Sequence, residues 1–230
     1  MTTVTLTSKE GKPFNAYYAK GPSSSARGIV LIQEIFGINA AMRELADTWA
    51  AKGYNVVVPD LFWRQAPDVE LDPTVKAEFE RGYGMMQAMK TEETLADLEA
   101  ARAWLAQESG HEKIALVGYC MGGMLAVRAA FEIPVKCAVS YYGVGLDSLL
   151  NDAPIDTAPT LLHIAGEDRF QTHDVRDLVM DLATAHPQFT PFIYDGVDHA
   201  FARPKGEHFD ADAAAKAEQR SQTFLAEHLV

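Results

Sequence analysis

The chain has 230 residues, 20 basic against 32 acidic side chains, a formal net charge of -12, and 48% hydrophobic with 23% charged residues. Such a length often forms one α/β unit, so a single domain over 1–230 is expected. The acidic balance argues against nucleic acid as a partner, and no apolar run approaches the about 20 residues of a membrane span.

In chain order, strand-like apolar segments fall at 28–35, 54–59, 113–117, 137–142, 160–165 and 190–194. Between and after them come helix-like segments at 40–52, 75–88, 92–107, 121–131, 173–185 and 211–228. Continuous runs such as IVLI, VVV, IALV and TLLHIA suit strands covered on both faces. Their alternation with helices predicts a three-layer α/β/α sandwich with a mostly parallel sheet. GPSSS at 21–25 reads as a turn, and the Pro- and Asp-rich stretch 65–74 as a surface loop leading into a helix. Thr91 offers a capping hydroxyl ahead of Glu92 and Glu93. The stripe Leu95, Leu98, Arg102 and Leu105 then reads as core packing at helical spacing. The start, MTTVTLTSKEGKPF, lacks a charged segment followed by an apolar one, so a soluble cytoplasmic protein without membrane contact is expected.

The densest chemical signal is KIALVGYCMGGMLAVR, residues 113–128: a buried strand, a glycine-framed turn and a helix. Gly118-Tyr119-Cys120-Met121-Gly122 has the G-x-nucleophile-x-G spacing of the α/β-hydrolase elbow, with cysteine in place of serine. Glycine is needed there because a Cβ two residues from the nucleophile would collide with the neighbouring strand or helix. The helix N-terminus favours a thiolate. The other cysteine, Cys137, opens an apolar strand and reads as core.

An elbow nucleophile needs a base and an orienting carboxylate, in the chain order nucleophile, acid, histidine. Asp168 in HIAGEDRF lies 48 residues after Cys120, and His199 in GVDHAF 31 residues after that. Each follows a predicted strand, at the end where open α/β sheets place their sites. His111, His173, His186, His208 and His228 lie on helices or loops and His163 within a strand; none forms a metal-ligand pair. Asp195, Asp198 and His199 make a weak metal candidate without a second histidine, so neither metal nor cofactor is expected.

On these residues the sequence resembles the dienelactone hydrolase family, a cysteine-dependent branch of the α/β-hydrolase fold. The shared motifs are Gln33-Glu34-Ile35-Phe36-Gly37, Pro59-Asp60-Leu61-Phe62, Gly118-Tyr119-Cys120-Met121-Gly122-Gly123, Tyr141-Tyr142-Gly143, Gly166-Glu167-Asp168 and His199-Ala200-Phe201-Ala202-Arg203. The resemblance implies a Cys120, Asp168, His199 triad, with Glu34 facing the thiol and taking its proton once substrate binds. It also implies an oxyanion hole from the N–H groups of Ile35 and Met121, with Arg203 binding a substrate carboxylate. The family's second arginine precedes a tyrosine by one helical turn. Tyr83 fits that tyrosine, but Phe79 holds the arginine's place, and Arg81 lies two residues, about 200° of helix rotation, away. Met85 and Met86 follow where aromatic residues are expected. The implied activity is opening of a dienelactone ring to maleylacetate in aromatic-compound breakdown. The implied partner is a small anionic lactone or ester, the chain being a monomer or weak homo-oligomer. The alternatives are a related hydrolase of other small esters or lactones and, remotely, a non-catalytic ligand-binding protein.

Overall fold

A computed structural model describes residues 2–23 and 26–230. Ser24 and Ser25 of the expected 21–25 turn lie outside the described residues. The chain divides into two compact units, Met1–Ile114 and Ala115–Val230.

The first unit holds strands β1 (Thr2–Thr7), β2 (Pro13–Ala19), β3 (Gly28–Ile32) and β4 (Asn55–Pro59), with helices α1 (Ala40–Ala51), α2 (Lys76–Gln87) and α3 (Thr91–Ser109). The strands lie in the order β1-β2-β4-β3. β1 pairs antiparallel with β2, and β2 antiparallel with β4. β3 and β4 run parallel, Gly28 opposite Asn55. Successive residues of a strand point to opposite faces, and β2 shows what covers each face. The Tyr17 hydroxyl donates to Asp47 of α1 at 2.8 Å, while the Tyr18 ring packs edge-on against Trp104 of α3 at 5.1 Å. Helices therefore cover both sides, and β3 and β4 are buried along their whole length.

In the second unit, β5 (Ile114–Tyr119), α4 (Met121–Ala130), β6 (Cys137–Tyr141), α5 (Leu146–Asn151), β7 (Thr160–Ala165), α6 (His173–Ala185), β8 (Phe189–Tyr194) and α7 (Ala211–His228) follow in turn. The strands β5-β6-β7-β8 are parallel throughout. Leu162 and Ile164 of β7 join Val127 of α4, Leu146 and Leu150 of α5 and Val179 and Ala183 of α6 in one apolar cluster. His163, between them, points the other way and meets Ser221 of α7 at 2.8 Å. Helices again lie on both faces, the mostly parallel α/β/α layering expected from the apolar runs.

The sequence missed β1 and β2, whose apolar residues alternate on short, half-exposed strands, and α5, whose six residues are too few for a helical period. The strand expected over 28–35 stops at Ile32, and α3 runs on to Ser109. Thr91 is not the cap: Lys90 holds that position without a side-chain cap, and Thr91 is already helical. Leu95, Leu98, Arg102 and Leu105 are buried as a core stripe. Arg102 satisfies its charge through Glu99 and Glu112. The 65–74 segment is not wholly a surface loop, because Val69 and Leu71 are buried. Among the described residues, no helix is long and apolar enough to cross a membrane.

His163 is buried, bonding Tyr194 through Nδ1 and Ser221 through Nε2, each at 2.8 Å, while Ser221 also bonds Tyr141 at 2.8 Å. Burial, with the nearby Arg220 charge, pushes the imidazole from 6.5 down to about 3. The unfolded chain therefore takes up this proton before the folded one does. The stability from neutral His163 is fully present above about pH 6.5 and falls as pH drops toward 3, by up to about 1.4 kcal/mol per pH unit. Urea melts between pH 7.5 and 4.5 should fall off more steeply for the wild type than for His163→Gln. Equal slopes would refute this account.

Candidate active site

The elbow joins β5 to α4. Gly118 lies one residue before the end of β5, opposite Ser140 of β6, and a Cβ there would lie 1.9 Å from the Gly122 carbonyl oxygen. A Cβ at Gly123 would lie 2.7 Å from the Tyr141 carbonyl oxygen. These close approaches let the chain reverse within one residue, Cys120, which adopts φ 56° and ψ -118°. A non-glycine residue with positive φ is strained. Backbone bonds hold it there: Cys120 N–H donates to Tyr141 O at 3.0 Å, and Gly123 and Met124 N–H donate to Cys120 O at 2.9 and 3.2 Å. Met121 is the first helical residue, so its N–H belongs to the first turn, where no intrahelical acceptor exists. Cys120 as a residue is partly exposed. Cys137 is fully buried in β6, and desolvation pushes its thiol up to about 12, an inert core group as expected.

Asp168 and His199 stand on the loops after β7 and β8, 5% and 3% exposed. Imidazole Nδ1 meets Asp168 Oδ2 at 2.8 Å. A carboxylate only accepts, so Nδ1 carries the proton. The other carboxylate oxygen accepts the Phe170 N–H at 2.9 Å. Nε2 is buried without a hydrogen bond of ordinary geometry among the described residues. His199 is nevertheless held up from 6.5 to about 10: burial opposes its charge, and the Cys120 sulfur and the Asp168 carboxylate outweigh burial. The structure thus brings together, within the second unit, the three residues that the sequence singled out by chain order. Two residues not singled out complete the surroundings. Tyr142, at φ 41°, sets its ring edge-on to the imidazole at 5.0 Å, and Phe170 does so from another side at 4.8 Å. Tyr142 sits in the Tyr-Tyr-Gly motif after β6, a cue that sequence reading noted without assigning a role.

The first unit places its own candidates. Glu34 follows β3 and is 1% exposed, and Ile35 is 5% exposed. The segment is pinned by three contacts. Gln33 accepts the Leu61 N–H at 3.1 Å, Leu71 N–H donates to Phe36 O at 2.9 Å, and a Cβ at Gly82 would lie 2.3 Å from Ile35 O. Phe79 packs its ring against Phe36 at 6.1 Å. Arg81 and Tyr83 are both exposed on α2, with Gly82 and Met85 as its buried positions. Arg203, half-buried, lies in the turn after His199, its N–H donating to Ala200 O at 3.0 Å. Among the described residues no group of three or more His, Cys, Asp or Glu side chains is arranged to hold a metal.

Parallel strands covered by helices, with a G-x-C-x-G elbow between β5 and α4, define an α/β-hydrolase. The chain belongs to the dienelactone hydrolase family, whose sequence model matches residues 14–229. It is 39% identical to the carboxymethylenebutenolidase of Pseudomonas putida over 224 residues, 97% of this chain and 95% of that protein. Carboxymethylenebutenolidase 1 of Cupriavidus pinatubonensis is 34% identical over the same shares of the two chains. Among solved structures, a Klebsiella pneumoniae protein assigned to the dienelactone hydrolases superposes with a TM-score of 0.78 at 26% identity, covering 98% of this chain and 99% of that one. Esterase 2 of Thermogutta terrifontis shares the fold alone, with a TM-score of 0.68 at 17% identity over 98% and 93% of the two chains. The protein is a hydrolase by its family.

Proposed function

We propose that the protein is a cysteine-dependent lactone hydrolase that opens dienelactone, 4-carboxymethylenebut-2-en-4-olide, to maleylacetate in aromatic-compound breakdown. The observation that carries this reading is the 2.8 Å His199 Nδ1 to Asp168 bond on an imidazole whose charged form the Cys120 sulfur favours. Cys120 Sγ attacks the ring carbonyl, forming a C–S bond, and the developing oxyanion is met by the Met121 N–H at the start of α4, the family resemblance assigning the second donor to Ile35. Collapse breaks the ring C–O bond, leaving an acyl thioester and an enolate that takes back the proton Glu34 removed from the thiol and becomes the ketone. Acylation removes the sulfur charge that raises His199, so the neutral imidazole takes a proton from water, whose hydroxide attacks the thioester. The C–S bond breaks, returning the thiolate beside the imidazolium and releasing the product acid. Asp168 keeps the imidazole in the tautomer that this step needs. The family resemblance gives Glu34, buried just past the end of β3, the role of taking the thiol proton in the first step. Arg203 binds the substrate carboxylate in a charge-assisted contact, of the kind worth about 1.5 to 3 kcal/mol. No cofactor enters the scheme.

A second reading, a broader esterase on small neutral esters or lactones, is favoured by one observation. At the place where the family's second arginine is expected, Phe79 instead packs on Phe36, and Arg81 is exposed. The experiment is rapid quench of a dienelactone reaction followed by mass spectrometry, alongside kcat/KM for dienelactone and for a neutral ester of similar size. An acyl adduct on the Cys120 peptide with preference for the carboxylate substrate is expected. Preference for the neutral ester moves the assignment to the broader esterase, and no adduct on Cys120 with either substrate sinks the cysteine mechanism.

A further inference from the structure

Two loops must hold Asp168 and His199 in register, and a charged residue directly beside each of them, Arg169 and Asp198, joins the two loops. Asp198 Oδ1 accepts two backbone N–H groups: that of His199, at 2.6 Å, and that of Arg169, the residue after Asp168, at 3.0 Å. Its other oxygen, Oδ2, takes the Arg169 guanidinium, at 2.9 Å from Nε and 2.6 Å from Nη2. One carboxylate thus joins the backbones of both loops, and one arginine holds its second oxygen with two nitrogens in charge-assisted contacts. Arg169 also contacts His208 Nε2, and His208 Nδ1 lies 3.9 Å from Asp198. The Asp198 carboxyl is lowered to about 2: partial burial works against its charge, and the Arg169 and His199 donors outweigh it. It therefore stays ionised throughout the neutral range. The neighbouring Ala200 adopts φ 65°, so the His199 backbone is held at the entrance of a strained turn.

We infer that Asp198 and Arg169 are positioning residues that lock the two loops so that His199 and Asp168 keep their hydrogen bond through turnover. The inference rests on the hydrolase reading for its kinetic consequence but not for its structural one.

The test compares Asp198→Ala, Asp198→Asn and Arg169→Ala in the full chain. Three readouts are taken: kcat and KM with dienelactone, the melting temperature, and the low-field proton signal of His199 Nδ1–H, assigned by its loss in His199→Gln. Asp198→Ala should lower kcat roughly 10- to 100-fold with KM within about twofold, because a small misplacement of a reacting group is that costly. Its Nδ1–H signal should broaden or vanish. Asp198→Asn keeps an oxygen for both N–H groups and should retain the signal and most of the rate, with Arg169→Ala between the two. An unchanged signal in Asp198→Ala overturns the inference, as does a change in KM with kcat intact. So does a fall in rate that tracks only a lower melting temperature while the signal of the folded protein stays sharp. If the wild type hydrolyses neither lactone nor ester, the hydrolase reading falls on that result alone, and the proton signal still decides the positioning role.

Discussion

Cys120→Ala is expected to lower kcat/KM on dienelactone by about 10⁴-fold or more while the fold survives. Knocking out the nucleophile of a catalytic triad in other hydrolases costs rates of this order, the residue coming from oxyanion stabilisation and binding. The substitution suits a clean test because alanine keeps the Cβ and therefore the strain at φ 56°. It also leaves the backbone bonds from Cys120 N–H to Tyr141 O and from Gly123 N–H to Cys120 O. What is removed is the sulfur alone. A second signature follows from electrostatics: His199 is held at about 10 in part by Cys120, so the variant's imidazole should titrate lower. Initial rates, melting temperature and the histidine NMR titration together decide the matter. A variant within tenfold of wild type, correctly folded, would end the cysteine assignment.

Gly118→Ala should be the most damaging single methyl group in the second unit. The added carbon would stand 1.9 Å from Gly122 O, 2.3 Å from Gly122 C and 2.8 Å from Gly123 N, all backbone atoms of the first turn of α4. That turn cannot retreat, because a Cβ at Gly123 would itself stand only 2.7 Å from Tyr141 O, a measure of how closely α4 sits on β6. A cost of about 3 kcal/mol is expected, which for a chain of this size lowers the melting temperature by roughly 6 to 12 °C. Gly84→Ala serves as the contrast. Nothing lies within 4 Å of its Cβ position on α2, so the change should stabilise, by about 0.5 to 1 kcal/mol. A Gly118→Ala protein that melts within about 2 °C of wild type would show that the elbow tolerates a side chain there and that the steric account of its glycines is wrong.

The elbow was legible because its chemistry is local: strand, glycine, cysteine, glycine and helix occupy one short stretch, and each residue type has a steric or electrostatic reason to be there. Asp168 and His199 were legible through chain order and strand ends, although each alone resembles an ordinary loop residue. The layering followed from uninterrupted apolar runs in β3, β4, β5 and β7. What escaped was of two kinds. β1 and β2 bury only alternate residues such as Phe14, Ala16 and Tyr18, a pattern that competes poorly with the longer runs. The contacts of Tyr142, Phe170, Arg169 and Asp198 depend on loops brought together by the pairing of β7 with β8 and of β6 with β7, which no spacing in the sequence reports. Thr91 failed as a cap because the helix begins one residue earlier than the hydroxyl suggested, with Lys90 at the cap, and a terminal residue is the least certain part of a helix read from sequence.

The polar chain behind β7 has a polarity of its own. Arg220 can only give protons, and it bonds the Tyr194 hydroxyl. If Tyr194 passed its hydrogen to His163, the direction would run on through Ser221 and leave the fully enclosed Tyr141 hydroxyl with a proton and nowhere to put it. The opposite sense, from Tyr141 to Ser221 to Nε2, and from Nδ1 to Tyr194, leaves the surplus proton at Tyr194, the less enclosed end. Donor arithmetic therefore selects one tautomer of His163, with hydrogen on Nδ1, and makes the Ser221 hydroxyl a relay that must receive on one side and give on the other. Alanine at that position would strand two enclosed groups at once, and so the C-terminal helix is keyed to the sheet by a single oxygen as well as by its apolar face.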